Sequence, residues 1–141
     1  MSQTNVKTGR FVVLAGEDLT GLEDRLVMLT HDTGVPEVKL PAANDDAAVY
    51  LLLEGAADAE NVSVDPIQAG QNYRVVLDGT CNPGDKLVLA DGAGTAAKKG
   101  KVRALPAAAG TYRVLGIAES SGVDGQLVLM RAASLGFVTV I

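Results

Sequence analysis

The sequence predicts an all-β protein, a small antiparallel β-barrel or sandwich, and three observations lead there. Residues 73–130 break into short runs rich in Val and Leu, separated by Gly, Pro, Asn and Asp clusters at near-regular intervals. The gaps between those runs leave no room for a helix, which describes antiparallel strands closing on one another. The first half of the chain then repeats the order of the second, so two similar β-halves from an internal duplication are expected.

The elements follow in order. Residues 1–9 are polar and are expected to form a flexible N-terminal arm, leaving residues 10–141 as a single β-domain. Residues 10–15 are the first strand, an acidic turn EDLTG (17–21) follows, and residues 25–30 are the second. The run 35–40 is interrupted by Pro36, which predicts an edge strand or a bulged start. Residues 47–53 are apolar and end at Glu54-Gly55, as a buried strand would; residues 56–60 could wind one helical turn. Residues 62–64 alternate, and residues 65–70 (DPIQAG) are the expected joint. Beyond it, strands are expected at 73–77, 86–89, 101–105, 112–117 and 126–130, with a final apolar run at 135–141.

The echo between halves is specific enough to write down. LEDRLVM (22–28) matches PGDKLVL (83–89), and VKLPAA (38–43) matches VRALPAA (102–108). Residues 49–53 then align with 112–117, and 62–64 with 127–129, so that residues 18–64 and 79–129 form the pseudo-repeats.

Composition restricts the function. A chain of 141 residues can bury roughly two thirds of its unfolded surface, and its lone Cys81 offers no intrachain disulfide, as suits folding in a reducing cytoplasm. The net charge of -5 argues against direct nucleic-acid binding, whose affinity comes from cations on phosphates. The polar start and short apolar runs give neither a signal peptide nor a membrane span. Aromatics at 4% and no Trp leave little for stacking on sugars or bases.

Chemical motifs are weak. His31 is the one histidine and Cys81 the one cysteine, short of the three or four convergent ligands a zinc site needs. The acids of the 44–46 loop lack the spaced series of a calcium loop. GAGTAA (92–97) fits a loose dinucleotide pattern, but KKGK follows where an amphipathic helix should begin. Residues 94–101 miss the P-loop spacing by one residue and carry Val102 in place of the magnesium-binding hydroxyl. A hairpin loop is the economical reading. No Ser-His-acid set or nucleophile elbow can be assembled, so no catalytic residue, cofactor or metal ligand is assigned.

The remaining candidates are contact residues. Lys98, Lys99 and Lys101, with Arg103, form a basic cluster in an acidic protein: a lysine-guarded edge on the plainer reading, a patch for an acidic partner on the functional one. The C-terminal Phe137, Val138, Val140 and Ile141 must be covered, by their own sheet or by a neighbouring subunit.

EDLTG (17–21), PGDKLVLADGAG (83–94), GTYRVLGIAE (110–119) and GQLVL (125–129) together resemble the small capsid decoration, or cement, proteins of tailed bacteriophages, over most of residues 10–131. The resemblance implies an all-β structural protein of the virion, made in the host bacterial cytoplasm. It would bind the major capsid protein on the outer surface of the assembled head, often as a trimer, and stabilise the shell. On that reading Asn5, Lys7, Arg10, Phe11, Lys98, Lys99 and Lys101 are candidate capsid contacts, and Phe137, Val138, Val140 and Ile141 candidate subunit contacts. A carbohydrate-binding or adhesive module, and another virion part such as a head-completion or tail protein, are the alternatives.

Overall fold

The computed structural model describes residues 9–92 and 95–141. In chain order the strands are β1 (Phe11–Ala15), β2 (Leu26–Thr30), β3 (Glu37–Lys39), β4 (Tyr50–Glu54), β5 (Asn61–Pro66), β6 (Asn72–Val76), β7 (Lys86–Leu89), β8 (Val102–Ala104), β9 (Gly110–Ala118), β10 (Leu127–Ala132) and β11 (Phe137–Val140). The helical content of the described residues is one 3-10 turn, Ala96–Lys98. The all-β expectation holds.

β1 to β5 close a barrel in the order β1-β3-β2-β4-β5, and β5 returns to β1. Four of its pairings are antiparallel, but β1 and β3 run parallel, with Ala15 opposite Val38. β6 to β10 pair in the order β6-β10-β9-β7-β8. A parallel bridge between Leu77 and Val102 then joins the end of β6 to β8. Both units therefore follow one pairing scheme. The same bond marks the parallel contact in each: Gly16 N–H donates to the Val38 carbonyl at 2.8 Å, and Asp78 N–H to the Val102 carbonyl at 2.7 Å.

Local chemistry explains the register. β9 alternates between buried and half-exposed positions along most of its length, so a one-residue slip would turn Tyr112, Val114 and Ala118 outward. β2 and β4 instead bury consecutive residues. Val27 and Leu52 fill the first barrel with Val13, Val38, Val62 and Val64. Their neighbours Leu26 and Leu51 face the other way and join Val75, Leu77, Leu87, Leu89, Val128 and Met130 of the second unit. A strand buried on both faces reads as an unbroken apolar run, as LLL (51–53) does.

The seam between units is also hydrogen-bonded. Leu26 N–H donates to the Gly100 carbonyl at 2.8 Å, and Val76 N–H to the Asp24 carbonyl at 3.2 Å. Gly100 is there of necessity: its φ is +78°, and a Cβ would lie 2.6 Å from the Leu26 carbonyl oxygen.

Several local expectations change. Pro36 lies outside β3, which sits between β1 and β2 and so is not an edge strand. Its missing N–H is therefore no loss to the ladder. Residues 56–60 form a turn with Ala59 at φ 65°, without a helical turn. Asp65 and Pro66 belong to the end of β5, so the connection between units is shorter than 65–70. The loop before β8 carries the 3-10 turn, and β8 ends the order of its sheet as an edge strand would, with one bridge from Val102 to Leu77. β11 pairs with β9, Phe137 opposite Arg113 and Val140 opposite Gly110. The C-terminal run thus completes its own sheet, with Val138 and Val140 packed on Val88, Tyr112 and Val114.

Candidate interaction surface

The residues whose types suggested chemistry are engaged in the fold. His31 sits in an exposed turn closed by Gly34 N–H on the His31 carbonyl at 2.8 Å. Its neighbour Asp32 pairs with Lys39 Nζ at 2.6 Å, and that bond holds the Asp32 carboxyl below and the Lys39 amine above their ordinary ranges. Asp46 accepts the amides of Ala42 and Ala43 at 2.8 and 3.0 Å and so closes its loop. Cys81 is buried, and desolvation, reinforced by Asp85, pushes its thiol up. Among the described residues no group of three His, Cys, Asp or Glu side chains could hold a metal ion.

The candidate capsid contacts divide between the two units. Asn5 and Lys7 lie outside the described residues, as do Ala93 and Gly94 of the glycine loop. Arg10 projects into solvent at the start of β1, 3.8 Å from Asp65, while Phe11 is half-buried with its ring edge-on to Tyr50 at 5.8 Å. The two line a hollow of about 420 Å³ with Val12, Leu53, Glu54 and Ser63. Lys98, Lys99 and Lys101 stand in the second unit, in the loop between β7 and β8. Their backbone serves the seam: Arg25 donates from Nη1 to the carbonyls of Ala97 and Lys99, both at 3.1 Å. The Lys101 carbonyl accepts from Ala90 N–H at 2.9 Å. The Lys98 side chain reaches Asp78 at 3.9 Å, and Arg103 lies over the Tyr112 ring. Two of its members thus also contact the protein itself, Lys98 while remaining exposed.

Of the candidate subunit contacts, Phe137 and Ile141 are exposed, whereas Val138 and Val140 are half-buried in the chain's own core. Phe137 borders a groove of about 420 Å³ that no sequence motif announces. Val49, Ile67, Leu115, Ala132 and Arg113 line it with Phe137. Arg113 reaches across from β9 so that its guanidinium lies 5.2 Å from the centre of the Phe137 ring. The signal available in the sequence was the apolar run 135–141; that Phe137, Thr139 and Ile141 face outward is set by the pairing of β11 with β9. A second apolar face, Val123, Leu127 and Leu129 on β10 and the turn before it, was legible only as a strand.

The described surface therefore offers grooves and exposed apolar strand faces, and several of its ionisable side chains, Asp32, Lys39, Asp46 and Arg25 among them, hold loops and the seam. No protein-family model matches the chain, and comparison with curated proteins finds no match. Among solved structures it is similar to the head fiber gp8.5 N base of bacteriophage phi29, with a TM-score of 0.68 and 17% identity, over 90% of this chain and 95% of that one. At that identity the likeness is one of fold, and the two-unit β-architecture described above is shared with the base of a phage head fibre.

Proposed function

We propose that this chain is a structural protein of a tailed-phage virion that binds the outer surface of the assembled head as a decoration, or cement, protein. The observation that carries the reading is the fold shared along nine-tenths of the chain with a phage head-fibre base. The strand-and-glycine cadence of residues 83–129, which resembles that of capsid decoration proteins, is compatible with it. A chain that offers several exposed apolar faces suits a role made of many modest contacts repeated over a lattice. The major capsid protein is the proposed partner, and a trimer the proposed assembly.

The test is to incubate the purified chain with heads that lack it, sediment them, and reconstruct the particles by electron microscopy. Extra density on the outer shell is expected. A chain that stays in the supernatant, or density confined to the tail, would remove the proposal. Sedimentation equilibrium of the free chain measures the assembly, with a three-chain mass expected. Removing residues 2–8 is expected to weaken head binding while leaving the circular dichroism spectrum unchanged, because β1 begins at Phe11.

The same likeness favours a second reading, in which the chain is the seat of a projecting fibre instead of a cement. Reconstruction separates the two: a cement bridges neighbouring capsid subunits, whereas a seat stands on one site and carries density outward.

A further inference from the structure

The first unit closes as a barrel and the second is bridged between Leu77 and Val102, whereas β11 lies off both paths: it pairs with β9 on one side, and its other edge meets no strand among the described residues. The bond from Val114 N–H to the Gly136 carbonyl at 2.9 Å fixes the phase of this ladder. With Phe137 opposite Arg113 and Val138 opposite Tyr112, Val138 and Val140 exchange bonds with β9. The N–H and C=O groups of Phe137 and Thr139 therefore point to the open edge. Residues 137–141 carry no charged side chain and no proline, the usual devices that keep such an edge from pairing.

The side chains beside this edge describe what would fit. Phe137 and Thr139 are exposed, and the apolar groove with Val49 and Ile67 opens next to Phe137. Arg113 holds its guanidinium over the Phe137 ring of this edge strand, and among the described residues that guanidinium has no carboxylate or carbonyl partner. An added strand would place a residue opposite Phe137 on the same face, within reach of that guanidinium. Arg is suited to a carboxylate there, which it can meet with two parallel bonds. A second copy of β11 fits poorly, since residues 135–141 contain no acidic side chain to offer.

We propose that β11 is a strand-addition site for a partner protein: an extended segment pairs with the outer edge of β11, sets a Glu or Asp against Arg113, and places an aliphatic side chain in the groove beside Phe137. The inference does not depend on the virion role, because it is drawn from the edge and its chemistry alone.

The probe is a blocked heptapeptide of alternating Thr and Val with Glu at its centre, together with its Gln and Lys counterparts, titrated into isotope-labelled protein by NMR. Amide shifts are expected at residues 135–141 and at Arg113, with the Glu peptide binding at least about tenfold tighter than the Lys peptide. Arg113→Gln is expected to make the three peptides equal while leaving the fold intact. Thr139→Pro removes an outward N–H without breaking a bond to β9 and is expected to abolish binding. The proposal is overturned if no peptide binds, if Glu and Lys peptides bind alike, or if the shifts map elsewhere. It is equally overturned if the same amides shift on concentrating the protein alone, which would make the occupant a second copy.

Discussion

Asp24 occupies a backbone conformation few residues tolerate, with φ at 67° in the turn before β2, and Gly84 holds φ 91° before β7. The two do the same work: Asp24 N–H donates to the Leu52 carbonyl and Gly84 N–H to the Ala118 carbonyl, both at 2.8 Å. Burial pushes the Asp24 carboxyl up, with Glu23 adding to it and Arg74 opposing. A carboxyl whose pKa is higher in the folded than in the unfolded chain costs stability while ionised, and the cost is relieved as pH falls through that raised value. Asp24→Asn removes the charge and keeps a side chain that tolerates positive φ. It is expected to stabilise the protein at pH 7 by less than about 1 kcal/mol, with the gain fading as pH falls through the raised value and gone once the pH is below the ordinary carboxylate range. Urea titrations at several pH values measure this. Cys81, buried with its thiol pushed up, is expected to react with a disulfide reagent slowly in the native state and rapidly in urea. A fast native reaction would contradict its burial. The repeat in the sequence aligns Asp24 with Asp85 by letter, whereas the hydrogen bonds align it with Gly84, one residue away. Side-chain identity misleads there because the shared requirement is a backbone angle.

Strands were legible wherever one face is buried and the other wet. β6, β9 and β10 alternate, and alternation is local information. β2 and β4 were recognisable as strands, but their double burial was not, because it depends on a second unit lying against the first. The basic loop was legible in part for a related reason: its charges are conspicuous in the sequence, while the work of its carbonyls, which accept from Leu26 and Arg25, leaves no letter. Gly100 tests that view. Gly100→Ala forces an L-residue to φ +78° and a Cβ against the Leu26 carbonyl. A loss of roughly 2 kcal/mol or more is expected by denaturant titration. A neutral Gly100→Ala would mean that the seam bond contributes little.

The two units share a core. Leu26 and Leu51 of the first pack with Val75, Leu77 and Leu87 of the second, so neither can unfold without exposing the apolar side of the other. Calorimetry is expected to show one transition with equal calorimetric and van 't Hoff enthalpies. Leu26→Ala, deleting a fully buried side chain at the seam, is expected to lower stability by roughly 2–5 kcal/mol without splitting that transition. Two separate transitions would show that the units are held more loosely than their packing indicates. We read the common pairing order of the two units as the product of a duplication, with β11 added to cover the β7–β9 face of the second unit where Val88, Tyr112 and Val114 lie. The sequence by itself determined the all-β class, the positions of most strands and the repeated order, because alternation and turn chemistry act between residues a few positions apart. Barrel closure through a parallel pair, the seam at Leu26 and Gly100, and the open edge of β11 beside Arg113 were decided only in three dimensions. Each joins segments far apart along the chain, and nothing in the local spacing of side chains specifies which distant backbone they will meet.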